Sequence, residues 1–294
     1  MMLLNDTKRE NDTLPADEYR RIAKVARSAA GLMIPESKSA MVRSRLAKRM
    51  RVLGIERVSA YLDRVEGGDT DELREMVAVL TTNVTSFFRE DHHFKLLASD
   101  IADGLLAKAR AGGKVRIWSA GCSLGAEPVS IAITLLEHST AFLTTDTRIL
   151  ATDIDQHVLA SAKSGTYAQD MVRGISPEYM KRYFRPCDGQ MVAVSNDVRK
   201  MISFRELNLI GAWPMRGRFD LIFCRNVAIY FDEETQSAIW SRFAECLVPG
   251  GWLFVGHSER VPDMIGLKTA GNTAYRKAAD PRSAPEPTRD ANVH

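Results

Sequence analysis

The sequence predicts an α/β protein: a doubly wound, Rossmann-like sheet with a small antiparallel β insertion, preceded by a small all-α domain. Three observations carry this. Apolar residues recur at helical spacing from about Tyr19 to Leu80, with no strand pattern among them. After about residue 113 the rhythm changes to alternating strands and helices, as parallel strands joined by crossover helices require. The segment FDLIFCRNV (219–227) is an apolar run suited to a central strand covered on both faces.

Taken in order, residues 1–16 are polar and aperiodic, as are 279–294, where DPRSAPEPTRDANVH is rich in proline and charge; both ends are expected to be disordered. In the helical domain (17–80), Ile22, Val25, Ala26 and Ala29 mark the first helix. Ser37 opens a basic helix over 37–54, closed by Gly54 as a C-cap. Val42, Leu46, Met50 and Leu53 share one stripe of it. Lys38, Arg43, Arg45, Lys48, Arg49 and Arg51 fill the opposite arc, with no acidic residue between 37 and 54. Two more helices fall near 58–66 and 70–80, separated by Gly67-Gly68. Residues 81–112 form a linker and connecting helix.

The second domain spans 113–278. KVRIWSA is its first strand and AEPVSIAITLLEH the helix after a glycine-bearing turn. TRILATDID is the next strand, followed by a helix from about Gln156 to Lys163. The central strand FDLIFCRNV leads to the amphipathic helix DEETQSAIWSRFAECL, then PGG turns into the strand WLFVGH. The insertion at 166–206 holds a short helix, PEYMKRYF, and two β-like runs, QMVAVS and KMISFREL, read as one antiparallel hairpin.

Composition narrows the function classes. The 294 residues are 45% hydrophobic and 26% charged, enough for a sizeable core. No run of about 18 apolar residues exists, so no membrane span is expected. MMLLNDTKREND turns polar too early for a secretory signal. Cys122, Cys187, Cys224 and Cys246 form no C-x-x-C pair, which suits free thiols in a reducing cytoplasm. The net charge of +3 is too mild to argue for nucleic acid, and the basic helix lacks interleaved aromatics. His92-His93 has no third ligand at metal spacing in the sequence, so no metal is expected. Neither a G-x-S-x-G elbow nor a G-K-[ST] loop occurs, which disfavours hydrolase and P-loop chemistry.

Ligands of open α/β sheets bind beyond the strands' C-terminal ends. The first such end is Gly121-Cys122-Ser123-Leu124-Gly125, where glycine lets the backbone approach a ligand; a plain tight turn is the alternative. Its spacing is not the G-x-G-x-x-G of a dinucleotide site. Asp153, ending the second strand, is placed to accept from ribose hydroxyls, while Asp155 is placed there or as a helix cap. Together they fit a nucleoside better than a dinucleotide. Arg225-Asn226 and Tyr230 follow the central strand and point either into the same cleft or to a surface ion pair and packing. In TTNVTSFFRE (81–90), Asn83, Thr85 and Arg89 fit ordinary capping as well as a site.

In combination these segments become specific. TTNVTSFFRE, WSAGCSLGAEPVSIAI, ILATDID, FRELNL, FDLIFCRNVAIYFD and LVPGGWLFVGHSE, in that order, closely resemble the CheR family of chemotaxis receptor methyltransferases from about residue 17 to 277. The resemblance implies a methyltransferase sheet that binds S-adenosylmethionine, releases S-adenosylhomocysteine, and methylates glutamate side chains on the cytoplasmic methylation helices of chemoreceptors. By motif it implies a cofactor site of Asn83, Thr85, Arg89, Gly121, Glu127, Asp153, Asn208, Leu209, Arg225 and Asn226, with Asp153 on the ribose and Asn208-Leu209 beside the adenine. Arg89 would orient the substrate carboxylate, and Tyr230 would face the transferring methyl. The arc of Lys38, Arg43, Arg45, Lys48, Arg49 and Arg51 would steer acidic receptor helices. A cytoplasmic monomer recruited to receptors, without membrane insertion or nucleic acid, is the expected state.

Two departures stand out. The family's turn is closer to GCSTGEEPYS; here Leu124, Ala126 and Val129 replace its Thr, Glu and Tyr. The hairpin turn in YFRPCDGQMVAV is shorter and less glycine-rich than in relatives that tether to a receptor's C-terminal pentapeptide, so no dependence on such a tether is expected. Methylation of another protein or a small molecule, or a scaffold that binds cofactor without catalysis, are the competing readings.

Overall fold

The computed structural model describes residues 14–279. The ends expected to be disordered lie almost wholly outside these residues. The described start is ordered earlier than expected: Leu14 is buried, and its amide donates to Ser39 Oγ at 3.3 Å. Helix α1 (Ala16–Ala30) is followed by α2 (Ser39–Leu53), α3 (Val58–Glu66) and α4 (Thr70–Leu80). Gly31 and Gly54 end α1 and α2 in the left-handed conformation that glycine adopts without strain. Asp69 caps α4 by accepting from Glu72 N at 2.9 Å. Ile22 and Ala26 of α1 pack with Val42, Leu46 and Met50 of α2, so the expected stripe is the core face, with Leu53 at its margin.

The basic arc is not one uniform surface. Arg49 donates to Glu72 Oε1 and Oε2 at 3.0 and 2.7 Å and pairs with Glu75 at 3.2 Å. Tyr61 Oη donates to the same buried Glu72 at 2.8 Å. Arg45 Nη1 donates to the carbonyls of Val79, Leu80 and Thr81, satisfying the C-terminal end of α4. The expectation that both face a partner is therefore corrected. Helical spacing puts both at the edge of the apolar stripe rather than opposite it, Arg45 one turn and Arg49 two turns on from Val42, so their long stems lie against α4. Lys38, Lys48 and Arg51 are exposed, and Arg43 is half-buried.

A short helix, α5 (His92–Leu96), continues through one π turn (Leu97–Ile101) into α6 (Ala102–Arg110). The sheet domain then runs β1 (Val115–Ala120), α7 (Ala126–His138), β2 (Thr147–Asp153) and α8 (Gln156–Ser164). The insertion comprises β3 (Thr166–Ala168), α9 (Pro177–Tyr183), β4 (Phe184–Cys187), β5 (Met191–Val194) and α10 (Asn196–Lys200). After β6 (Ile202–Glu206) come β7 (Phe219–Cys224), α11 (Glu233–Cys246), β8 (Leu247–Val255), β9 (Leu267–Gly271) and β10 (Ala274–Lys277). The main sheet has seven strands in the order β6-β2-β1-β7-β8-β10-β9; β10 runs antiparallel to both its neighbours, β8 and β9, and the other pairings are parallel.

Three expectations about strands change. QMVAVS does not pair with KMISFREL: β5 pairs antiparallel with β3 and β4 in a separate three-stranded sheet. KMISFREL supplies β6, the edge strand of the main sheet, parallel to β2. The PGG segment lies inside β8, where the register against β7 shifts, and the β9–β10 hairpin beyond it had no clear alternating pattern. Local pattern identifies a strand but not a distant partner. The β4–β5 connection is Asp188-Gly189-Gln190, with Gly189 at φ 69°, a left-handed conformation that glycine adopts without strain.

Candidate active site

Because the chain leaves β1 toward β2 and β6 and later returns to β7 on β1's other side, the sheet's switch point lies between β1 and β7. Doubly wound folds bind ligands there. Gly121, just after β1, has φ +81°, and a Cβ on it would fall 2.3 Å from Val227 Cγ2. The turns after β1 and β7 thus touch at a position only glycine fits. Phe88, Glu90, Ser123 and Asn226 also take positive φ, of 51°, 55°, 50° and 60°, so left-handed non-glycine backbone gathers around this cleft.

A cavity of about 280 Å³ opens at the switch point, between the sheet and the helical domain. Asn83, Thr85, Arg89, Gly121, Glu127, Asp153, Asn208, Leu209, Arg225, Asn226 and Tyr230 all line it, as does Lys38. Arg43, Arg45, Lys48, Arg49 and Arg51 do not. The end of α1 and the α1–α2 connection close one side: Asn208 Nδ2 donates to Ala29 O at 2.7 Å, and Met33 N donates to Tyr230 O at 2.7 Å. Leu207, Leu209, Ile154 and Phe231 add apolar wall.

Its polar half is built on two networks. Asp153 accepts from Ser123 N at 2.8 Å and from Asp155 N at 3.0 Å, and burial pushes its carboxyl above the ordinary range. Asp155 caps α8 through His157 N and Val158 N and also accepts from Asn83 Nδ2 at 2.9 Å. The cap reading of Asp155 is thus the one realised, and Asn83 pins the linker against the β2 end.

Arg225 organises the second network. Its guanidinium pairs with Glu127 at 3.3 Å and Glu90 at 3.4 Å and donates to Arg89 O. Burial pushes the Glu127 carboxyl up, offset only in part by Arg225 and by Ser119 Oγ, which donates at 2.6 Å. Burial also acts to raise Glu90, but Arg225 and two contacts from His257 outweigh it and bring Glu90 down to about 2. Arg89 itself is half-exposed, its Nη1 donating to Val84 O at 3.2 Å.

Sequence reasoning missed two residues here. Glu90 closes TTNVTSFFRE beside the residues singled out, and Glu259 closes LVPGGWLFVGHSE; each is an acid at the end of a quoted segment. The expectation that His92-His93 has no third ligand is also corrected, because Glu90 comes within 4.8 Å of both. Its sequence distance is short, but the left-handed backbone of Glu90 is what turns it back. The charge facing Glu90 is already the Arg225 guanidinium. His93 is wholly buried, with Nε2 3.0 Å from Thr273 Oγ1; burial and then Arg225 push its pKa down to about 3.

Residues 17–81 match the family model "CheR methyltransferase, all-alpha domain", and residues 83–275 match "CheR methyltransferase, SAM binding domain". The chain belongs to the CheR methyltransferase family. A probable chemotaxis protein methyltransferase of Rhizobium etli is 45% identical over 82% of this chain and 94% of its own length. The chemotaxis protein methyltransferase of Salmonella typhimurium is 38% identical, over 89% of this chain and 90% of its own. That of Borreliella burgdorferi is 34% identical over 91% and 96%. As a CheR-family enzyme it is an S-adenosylmethionine-dependent methyltransferase with the domain division the helices and sheet display.

The cavity fits that cofactor on its own terms. Arg225 Nε is buried without a hydrogen-bond partner although the residue lines the cavity, which suits a ligand carboxylate. Two largely buried carboxyls, Glu127 and Asp153, offer acceptors for ammonium and hydroxyl groups. The apolar wall suits a base.

Proposed function

We propose that this enzyme methylates glutamate side chains on the cytoplasmic methylation helices of chemoreceptors, forming glutamate methyl esters for adaptation in chemotaxis. What carries the reading is that one cavity collects every cofactor-site residue expected from the CheR motifs, with half-exposed Arg89 on its lining. Asp153 would hold the ribose, Asn208-Leu209 the adenine, and Asn83, Thr85, Glu127, Arg225 and Asn226 the methionine end.

When bound, S-adenosylmethionine supplies an electrophilic sulfonium methyl. A substrate carboxylate is ionised at neutral pH, so no general base is required. What the chain must supply is alignment of carboxylate oxygen, methyl and sulfur. Arg89 holds one carboxylate oxygen by charge-assisted hydrogen bonds and leaves the other free to attack. Tyr230 limits the approach from the helical-domain side, and the walls of the cavity exclude water. Lys38 at the cavity, with Lys48 and Arg51 farther along α2, steers an acidic helix toward Arg89. With a three-residue β4–β5 connection, docking does not depend on a receptor pentapeptide. The enzyme acts as a cytoplasmic monomer, and no helix among the described residues is long and apolar enough to cross a membrane.

Incubation with labelled S-adenosylmethionine and chemoreceptor-containing membranes tests the reading. Base-labile label on the receptors is expected; cofactor binding with label on no receptor would overturn it. Tight, sequence-specific binding of an isolated receptor-tail peptide would overturn the tether-independence.

A further inference from the structure

We propose that Glu259 is a positioning residue of the active site, fixing the turn after β7 that presents Asn226 to the cofactor cavity. Glu259 lies just beyond β8 and does not line the cavity. It is only 2% exposed. Its Oε1 accepts from Val227 N, Ala228 N and Ile229 N at 2.9, 2.7 and 3.3 Å. Its Oε2 accepts from Asn226 N at 2.9 Å and Gly256 N at 2.5 Å.

Successive backbone N–H groups converging on one point form a nest that demands an anion. Left without one, the buried donors Ala228 N and Gly256 N would be stranded at a cost for each, and the part-buried ones would lose their acceptor. Glu259 fills the nest from inside the protein. A substrate or cofactor carboxylate is therefore not drawn to it and is left to Arg225 and Arg89. The bond to Asn226 N also holds that residue at φ 60°, a left-handed conformation that asparagine tolerates better than most residues, and so sets where its amide points.

Gly256 is a second requirement of the same arrangement. A Cβ there would lie 2.6 Å from Asn226 Nδ2, 2.8 Å from Asn226 N and 2.9 Å from Glu259 Oε2. The β8 end, the Glu259 carboxylate and the Asn226 backbone thus form one packed unit behind the cavity wall.

In Glu259→Gln, an amide NH2 replaces one oxygen and meets N–H donors in either orientation. Binding of S-adenosylhomocysteine, measured by calorimetry, is expected to weaken at least about tenfold, about 1.4 kcal/mol, while unfolding stays cooperative. The discriminating measurement is the same substitution in an Asn226→Gly background, which keeps the left-handed backbone and removes the amide. There the further loss is expected to be no more than about threefold, because the residue acted upon is gone. Unchanged affinity in folded Glu259→Gln, or an equal loss in both backgrounds, would overturn the assignment and leave Glu259 a fold-stabilising residue. If Glu259→Gln does not fold, Gly256→Ala run through the same cycle decides it on the same outcomes.

Discussion

Arg49→Ala is expected to destabilise the helical domain by about 3 kcal/mol, although its place on a basic helix marks it for partner binding. Glu72 is the reason: its side chain is 1% exposed, while that of Arg49 is 22% exposed. Glu72 receives two hydrogen bonds from Arg49 and one from Tyr61. Removing the guanidinium leaves a buried carboxylate with the Tyr61 hydroxyl as its remaining side-chain donor. Breaking a buried pair from one side costs about 3–5 kcal/mol, and the partial exposure of Arg49 places this case at the lower end. Chemical denaturation followed by circular dichroism reads the effect as a lower midpoint. The exposed Arg51→Ala serves as control, with a change within about 0.5 kcal/mol. Arg49→Met combined with Glu72→Leu should recover most of the loss, because both members of the buried pair leave together; what stays missing is the Tyr61 acceptor, worth about 1 kcal/mol, and the Arg49 contact of Glu75, which keeps His157 and Gln156. An Arg49→Ala midpoint equal to wild type, or a double variant weaker than the single one, would refute the inward role.

Arg89→Ala should lower methyl transfer to receptors at least about tenfold, about 1.4 kcal/mol in the barrier, and unchanged turnover would remove it from the mechanism. Reversing Lys48 and Arg51 to Glu should raise the receptor concentration needed for half-maximal transfer and leave S-adenosylhomocysteine affinity alone; a parallel loss of both would point to misfolding. Stability should fall as pH drops from about 6.5 to about 3. There the unfolded chain binds a proton on His93 that the folded protein refuses, so the slope approaches 1.4 kcal/mol per pH unit. Glu90, ordinarily at 4.5 and here at about 2, adds to the loss between those values, where it too is protonated only when unfolded. Thermal melts against pH should show a flatter acid limb between pH 5 and about 6.5 in His93→Gln, and an identical slope would contradict the assignment.

The fold class and the helices of the first domain could be read from the sequence, because each rests on local periodicity or a local stop such as Gly54. That the residues singled out would meet in one cavity was legible for a related reason: each lies at or just beyond a strand end or in the linker, and the order of the motifs marks those places. Pairing was not legible. KMISFREL and QMVAVS look alike as strands, and only packing sends one to β2 and the other to β3 and β4. Nor was the direction of a long cationic side chain. Helical spacing sets Arg45 and Arg49 at the edge of the apolar stripe and Arg51 across the helix from it, but only packing supplies the acceptors on α4 that take the first two inward. Glu90 and Glu259 belong to the same class, since a carboxylate's role is set by which donors converge on it. Apart from Gly256 N, those donors come from segments 30 or more residues away, which only the folded chain brings within hydrogen-bonding distance.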